Sequence, residues 1–242
     1  MTQPQITVWP PSGDRADRIA VAVDRLVGWL ARHWLALFNT AAAVFVGLPF
    51  VAPLLMAVGL TGPAQVIYLV YRPTCHQLPE RSFFLFGAQG AYSVAELEAT
   101  GALPSGLNLL QREFLRWVGD PEVGYKVAIC ERDVAIYSSI LLGWLIYGLA
   151  RAYFSARTRR TPRLPVKGYL ILLIPMLVDG ATQLVGLRES TWPLRIVTGG
   201  LFGLATVWLA YPYVEDAMQD VLRPRSVGPP EITERAPCQE TR

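Results

Sequence analysis

Four clusters hold most of the residues in this chain that could do chemistry: Cys75-His76-Gln77, Cys130-Glu131-Arg132-Asp133, Asp179 with Gln183, and the run Arg188 to Arg195. They interrupt a sequence that is otherwise strongly apolar. Ionisable groups at membrane depth are costly, so their default reading is a site facing a bundle interior or a wet cavity. Cys130 and Asp133 stand one helical turn apart, with Tyr137 a further turn on, so the three share a face. With Cys75 and His76 they offer two sulfurs, a nitrogen and an oxygen, a mixed set that zinc or another divalent metal accepts. A second reading is a Cys75–Cys130 disulfide pinning the long segment between them, worth roughly 4 kcal/mol for a loop of that length. A catalytic thiol is a third. For both members of Cys75-His76 to ligate one ion, the backbone there must be irregular, because neighbouring side chains diverge on regular structure.

Asp179 and Gln183 lie i, i+4 on one apolar segment and are the candidate catalytic pair, Asp179 as acid or base. The bland alternative pairs Asp179 with Arg195, which fixes helix register without much net stabilisation. Arg81, Arg132 and Arg195, with the hydroxyls of Ser190 and Thr198, are candidates for holding a phosphate or carboxylate, a task suited to guanidinium forks. Arg188 is the arginine most open to ordinary interfacial snorkelling.

The elements that position these residues follow from composition. Of 242 residues, 52% are hydrophobic and 17% charged, with a mean hydropathy of +0.31. Soluble domains carry about 25% charged residues. Trp34–Gly59, Val134–Phe154, Gly168–Leu187 and Pro193–Val214 approach or exceed the roughly 20 apolar residues that cross a bilayer. Pro63–Tyr71 is too short, and reads as the end of a broken first helix or a re-entrant piece. Pro49 and Pro53 should kink or break the first span. The connector Arg151–Lys167 holds Arg151, Arg157, Arg159, Arg160, Arg163 and Lys167 and no acid, which places it in the cytoplasm. Both termini are then cytoplasmic, in a multi-pass protein of the cell membrane, and all four polar clusters fall on the outer side. The net charge of +3 is spread over cytoplasmic segments and gives no case for nucleic acid. No cleavable signal is apparent, and the first helix reads as an uncleaved anchor.

The expected fold is all-α, an integral membrane bundle of four transmembrane helices with an outer loop carrying short interfacial helices. Residues 1–33 form an N-terminal arm whose helix, from an Asp14 cap to Arg32, either lies in the interface or extends the first span. Residues 1–12 read as disordered. Residues 34–214 form the membrane domain, and 215–242 a disordered tail. Within the outer loop 72–133, Val94–Thr100 and Leu107–Val118 read as helices, the second ended by Gly119-Asp120-Pro121. Of three cysteines, Cys75 and Cys130 fall in the oxidising compartment, where disulfides persist, and Cys238 reads as a solvated bystander. Gly199 and Gly203 form a G-x-x-x-G pair for close helix approach, within the chain or in a homo-oligomer. The bilayer itself is the remaining partner. No internal repeat marks an inverted-repeat transporter.

Together these motifs resemble a family of small bacterial and archaeal membrane proteins known as domain of unknown function 2085. The resemblance runs from Tyr71 to Gly203. It rests on Cys75-His76-Gln77 with Pro79-Glu80-Arg81-Ser82-Phe83, on Cys130-x-Arg132 leading to Ile136-Tyr137, on Asp179-Gly180-x-x-Gln183, and on Ser190-Thr191 leading to Arg195-x-x-Thr198-Gly199. The family's second motif carries a further cysteine and a glycine where this chain has Asp133 and Ala135. A C-x-x-C redox pair is therefore absent, while Asp can replace Cys as a harder metal ligand. The resemblance implies no established activity. Two functions stand side by side: a membrane protein with a metal-binding polar site acting on an anionic amphipathic substrate, or a non-catalytic accessory subunit with a disulfide-held outer loop.

Overall fold

A computed structural model describes residues 15–156 and 161–223. The expected disorder of residues 1–12, the Asp14 cap, Cys238 and the tail beyond Arg223 lie outside the described residues. The chain divides into two units, Met1–Arg32 with Asp216–Arg242, and His33–Glu215. The second contains every candidate site residue.

Helix α1 runs unbroken from Arg15 to Ala57, straight through Pro49 and Pro53. The N-terminal arm is thus continuous with the first apolar segment, and the expected break at the prolines does not occur. A proline removes the N–H that would serve the carbonyl four residues earlier. At Pro49 that carbonyl belongs to Phe45, and it accepts instead from the Tyr71 hydroxyl at 2.8 Å. Reversal comes only after Ala57, where Gly59 adopts φ +80°, and α2 (Thr61–Tyr71) follows. Helices α5 (Glu131–Ala156), α6 (Val166–Leu184) and α7 (Trp192–Leu222) complete the long elements. Helix α7 continues past the expected boundary at 214. Its internal Pro212 frees the Trp208 carbonyl, which accepts from the Leu164 N–H at 3.2 Å.

Among the described residues, three helices are long and apolar enough to cross a membrane: Asp17–Ala57, Glu131–Phe154 and Trp192–Leu222. Helix α6 is only 19 residues and carries Lys167, Asp179 and Gln183. Large apolar side chains such as Leu149, Ile171, Leu177 and Val197 face outward, as expected for a lipid environment. Gly199 and Gly203 pack against α5 of the same chain. A Cβ on Gly199 would lie 2.9 Å from the Arg132 carbonyl, and one on Gly203 would lie 2.1 Å from Ser139 Oγ. The face considered for an oligomer is therefore filled within the chain.

The segment between α2 and α5 forms a cap, and here the all-α expectation is corrected. The cap holds a three-stranded antiparallel sheet, β1 (Ser82–Leu85), β2 (Gly119–Asp120) and β3 (Gly124–Cys130), in the order β1-β3-β2. Strand β3 is an apolar run rich in β-branched residues, with Val127, Ala128 and Ile129 fully buried, a composition suited to a two-sided strand. Gly119-Asp120-Pro121 opens a hairpin instead of ending a helix. Asp120 Oδ1 accepts from the N–H groups of Glu122 and Val123, and Gly119 and Gly124 take positive φ where a Cβ would strike backbone. Helix α3 (Val94–Ala99) matches the expected one. The second cap helix, α4, is shortened to Leu109–Phe114. Both start in capping boxes, Ser93/Glu96 and Asn108/Gln111, which satisfy end N–H groups reciprocally.

Candidate functional site

Strand β3 delivers Cys130 to the first turn of α5, and the elbow after α2 delivers Cys75 beside it. The elbow is irregular because Gln77 sits at φ +54°, an uncommon conformation for a side-chain-bearing residue. Three contacts hold it there. Gln77 Nε2 donates to the Tyr68 carbonyl at 2.8 Å, its own carbonyl accepts from Lys126 Nζ at 2.7 Å, and its N–H points at Cys75 Sγ at 3.5 Å. Cys75 is thereby turned inward and His76 outward.

The ligand atoms of Cys75, Cys130 and Asp133 lie within 4.8 Å of one another. His76 does not join them. It is exposed and lines a separate groove, so the four-residue set is reduced to three. Both cysteines are free thiols. The Cys130 N–H donates to Cys75 Sγ at 3.1 Å, and Cys130 Sγ donates to Asp133 Oδ2 at 3.1 Å. Hydrogen bonding from Cys130 holds Cys75 below the ordinary thiol range, against burial and the Asp133 charge. The same bond, burial and the neighbouring charges push Cys130 well up. One sulfur is thus biased towards thiolate, the form that binds metal.

The arginines divide differently from expectation. Asp179, 1% exposed, does not pair with Arg195. Its Oδ2 accepts from Arg132 Nη2 at 2.5 Å and Ser190 Oγ at 2.9 Å, and its Oδ1 from Arg188 Nη2 at 2.7 Å. A carboxylate so engaged is an organiser of cations, with two hydrogen bonds on Oδ2 and one on Oδ1. Arg195 pairs with Glu131 at 2.8 Å, both buried, and donates to the carbonyls of Glu80 and Ser190. Thr198 is buried with its hydroxyl on the Leu194 carbonyl at 2.8 Å. Arg132, Arg195 and Thr198 are therefore occupied within the protein.

Arg81 is the exception. No hydrogen bond or ion pair engages its guanidinium among the described residues, and its Nε is buried without a partner. Burial, then crowding by Arg195 and Arg132, lowers its pKa, while Glu80 and Cys130 lie near enough to oppose this. Arg81 lines a cavity of about 630 Å³ together with Gln183, Arg188, Ser190 and Arg195. Glu80 lines it too, its side chain only 7% exposed, with Arg112 Nη1 at 3.6 Å. Neither Glu80 carboxylate oxygen has a hydrogen-bond partner. Buried polar atoms rarely stay unsatisfied. Sequence reading gave no role to Glu80, Glu131, Arg112 or Lys126. Glu131 stood inside a quoted cluster, and Lys126 is the one charged residue in the apolar run of β3.

A family described as "Predicted membrane protein (DUF2085)" matches residues 123–209, from the turn before β3 into α7. An uncharacterised protein of Methanocaldococcus jannaschii is 34% identical over 147 residues, covering 60% of this chain and 67% of the relative. An uncharacterised protein of Methanothermobacter thermautotrophicus is 36% identical over 76 residues, 31% of this chain and 62% of the relative. The chain thus spans less than two thirds of this second relative. No solved structure matches. Profile, relatives and the ordered motifs agree: the chain belongs to the DUF2085 family of predicted membrane proteins.

Proposed function

We propose that this is a four-span protein of the cell membrane, termini cytoplasmic and cap outside, whose cap holds a metal ion on Cys75, Cys130 and Asp133 beside a cavity for an anionic group. What carries the reading is the gathering of three ligand atoms within 4.8 Å next to Arg81, an arginine with no partner of its own. Two sulfurs and a carboxylate suit zinc, and three protein ligands leave room for water or substrate. Such an ion supplies Lewis acidity or an activated water. Arg81 meets the anion, Glu80 accepts a hydroxyl or amine hydrogen from the same ligand, and Asp179 holds Arg188 and Ser190 at the cavity wall. Helix α6 serves as the fourth span, with Asp179 turned to the bundle.

Metal content and free-thiol count, measured on one detergent-purified sample without reductant, test this. The expected result is about one equivalent of zinc or a similar ion, lost in Cys130→Ala. An absence of metal with Cys75 and Cys130 unreactive to thiol reagents would overturn it. That outcome would favour the accessory-subunit reading, since the adjacent sulfurs would then be a structural disulfide.

A further inference from the structure

A second concavity, of about 390 Å³, is lined by His76 and Gln77 of the elbow and shares no lining residue with the larger cavity. Its charged lining is Arg72, Arg116 and Lys126, joined by His76, and among the described residues no acid lines it. The larger cavity differs, for there Glu80, Glu96, Glu131 and Glu189 alternate with the arginines. Among the described residues no carboxylate lies within ion-pair distance of Arg72, Arg116 or Lys126. Lys126 is 2% exposed, and its one hydrogen bond goes to a neutral carbonyl, that of Gln77. A buried ammonium with no carboxylate within ion-pair distance is costly, and three cations around one groove suit an anion.

The apolar surroundings indicate what kind of anion. Val66 and Leu69 of α2 form one wall, and Leu115 and Val118 another. Val66, Leu69 and Val70 are 59–64% exposed, and Leu110 and Phe114 of α4 are 62% and 74% exposed. Basic residues beside an exposed apolar face fit a headgroup at the membrane surface. We propose that this groove seats the phosphate of an anionic lipid on Arg72, Arg116 and Lys126, with an acyl chain along Val66 and Leu69. Arg72 and Arg116 reach the phosphate from the rim, and Lys126 meets it from the floor. None of Cys75, Cys130 and Asp133 is among its lining residues.

Native mass spectrometry of the delipidated full chain in detergent tests it, titrating a short-chain phosphatidylglycerol, a matching phosphatidylcholine and inorganic phosphate. The expected result is saturable binding of phosphatidylglycerol alone, weakened on the order of tenfold or more in the Arg72→Ala/Arg116→Ala double variant. Lys126→Met keeps the stem's volume and removes the charge. It should lose the lipid while thermal stability holds or rises, which a folding defect would not do. Equal binding of the two lipids, or wild-type affinity in the double variant, would overturn the proposal. So would displacement of the lipid by an equal concentration of inorganic phosphate, which would assign the groove to a free anion.

Discussion

Arg132 on α5 and Asp179 on α6 meet at 2.5 Å, and that one pair decides how the buried charges of this protein are arranged. Asp179 also accepts from Arg188 and Ser190, while Arg195 pairs with Glu131. Removing one partner of a buried pair leaves an uncompensated charge and typically costs about 3–5 kcal/mol. Asp179→Asn, which strands Arg132 beside an amide, should therefore lower unfolding stability by several kcal/mol on that scale. Replacing both partners, Arg132→Met with Asp179→Leu, should restore much of it. Denaturation in detergent measures this. Unchanged stability in Asp179→Asn would mean that Asp179 does not organise the arginines and would return the acid–base role to it.

The turned-out His76 gives a sharp contrast between two ligand sets. His76→Ala should keep the metal, and Asp133→Ala should lose it, as read by metal analysis after dialysis. Asp133→Cys supplies a third sulfur in place of a harder oxygen, so a cobalt-loaded sample should gain thiolate-to-metal charge-transfer absorption. Metal lost in His76→Ala but kept in Asp133→Ala would show that the observed grouping is not the binding site.

The polar clusters were legible in the sequence because a charged or sulfur-bearing residue stands out against apolar spans. Their pairing was not. Periodicity says which face a residue occupies along one helix, and the choice of Arg132 over Arg195 for Asp179 depends on how α5, α6 and α7 cross. The Gly199/Gly203 face with its partners Ala135 and Ser139 is the packing that sets that crossing. The cap sheet was missed for a different reason. Val123 to Cys130 is a short apolar run, which periodicity alone does not separate from a buried helix segment. The informative signs were the glycines at 119 and 124 and the Asp120 turn, which hairpins require. Lys126 went unnoticed because a lone lysine in a strand reads as solvent-facing until the strand is seen to be covered on both sides.

The Tyr71 hydroxyl stands in for a hydrogen bond that Pro49 took away from Phe45. Tyr71→Phe should cost about 1–3 kcal/mol, the penalty of a buried carbonyl left without a donor. Pro49→Ala restores the N–H inside α1, so in that background the same Tyr71→Phe change should cost much less. A double-mutant cycle measures the coupling. Additive effects would mean that the hydroxyl and the proline are unrelated.

Gly203 offers a test of where the close helix contact lies. A Cβ there would approach the Ile136 carbonyl to 2.5 Å as well as Ser139 Oγ, so α5 and α7 would have to separate. Gly203→Leu should destabilise the monomer by about 1–3 kcal/mol or more, with no change in the oligomeric size seen by light scattering in detergent. Loss of a larger species, at unchanged stability, would move the contact to an interface between chains.

Lys126 makes stability depend on pH in a predictable direction. Burial lowers its pKa from the ordinary 10.5 to about 8, opposed by the Cys75 thiolate and Glu80 and assisted by Arg72. Arg116 and His76 share its groove. The protonated form is the one the fold disfavours. Below about pH 8 folded and unfolded chains both hold the proton, and the burial cost is present in full. Between about 8 and 10.5 the unfolded chain binds more protons, so stability attributable to this residue rises with pH, by about 3 kcal/mol across the window. Lys126→Met should remove the rise, and unfolding titrations of the two proteins over that range measure the difference. Saturating phosphatidylglycerol should flatten the wild-type curve as well, because a phosphate beside the ammonium raises its pKa back towards the unfolded value. A rise that persists in Lys126→Met would assign it to other groups, and one untouched by lipid would count against an anion in the groove.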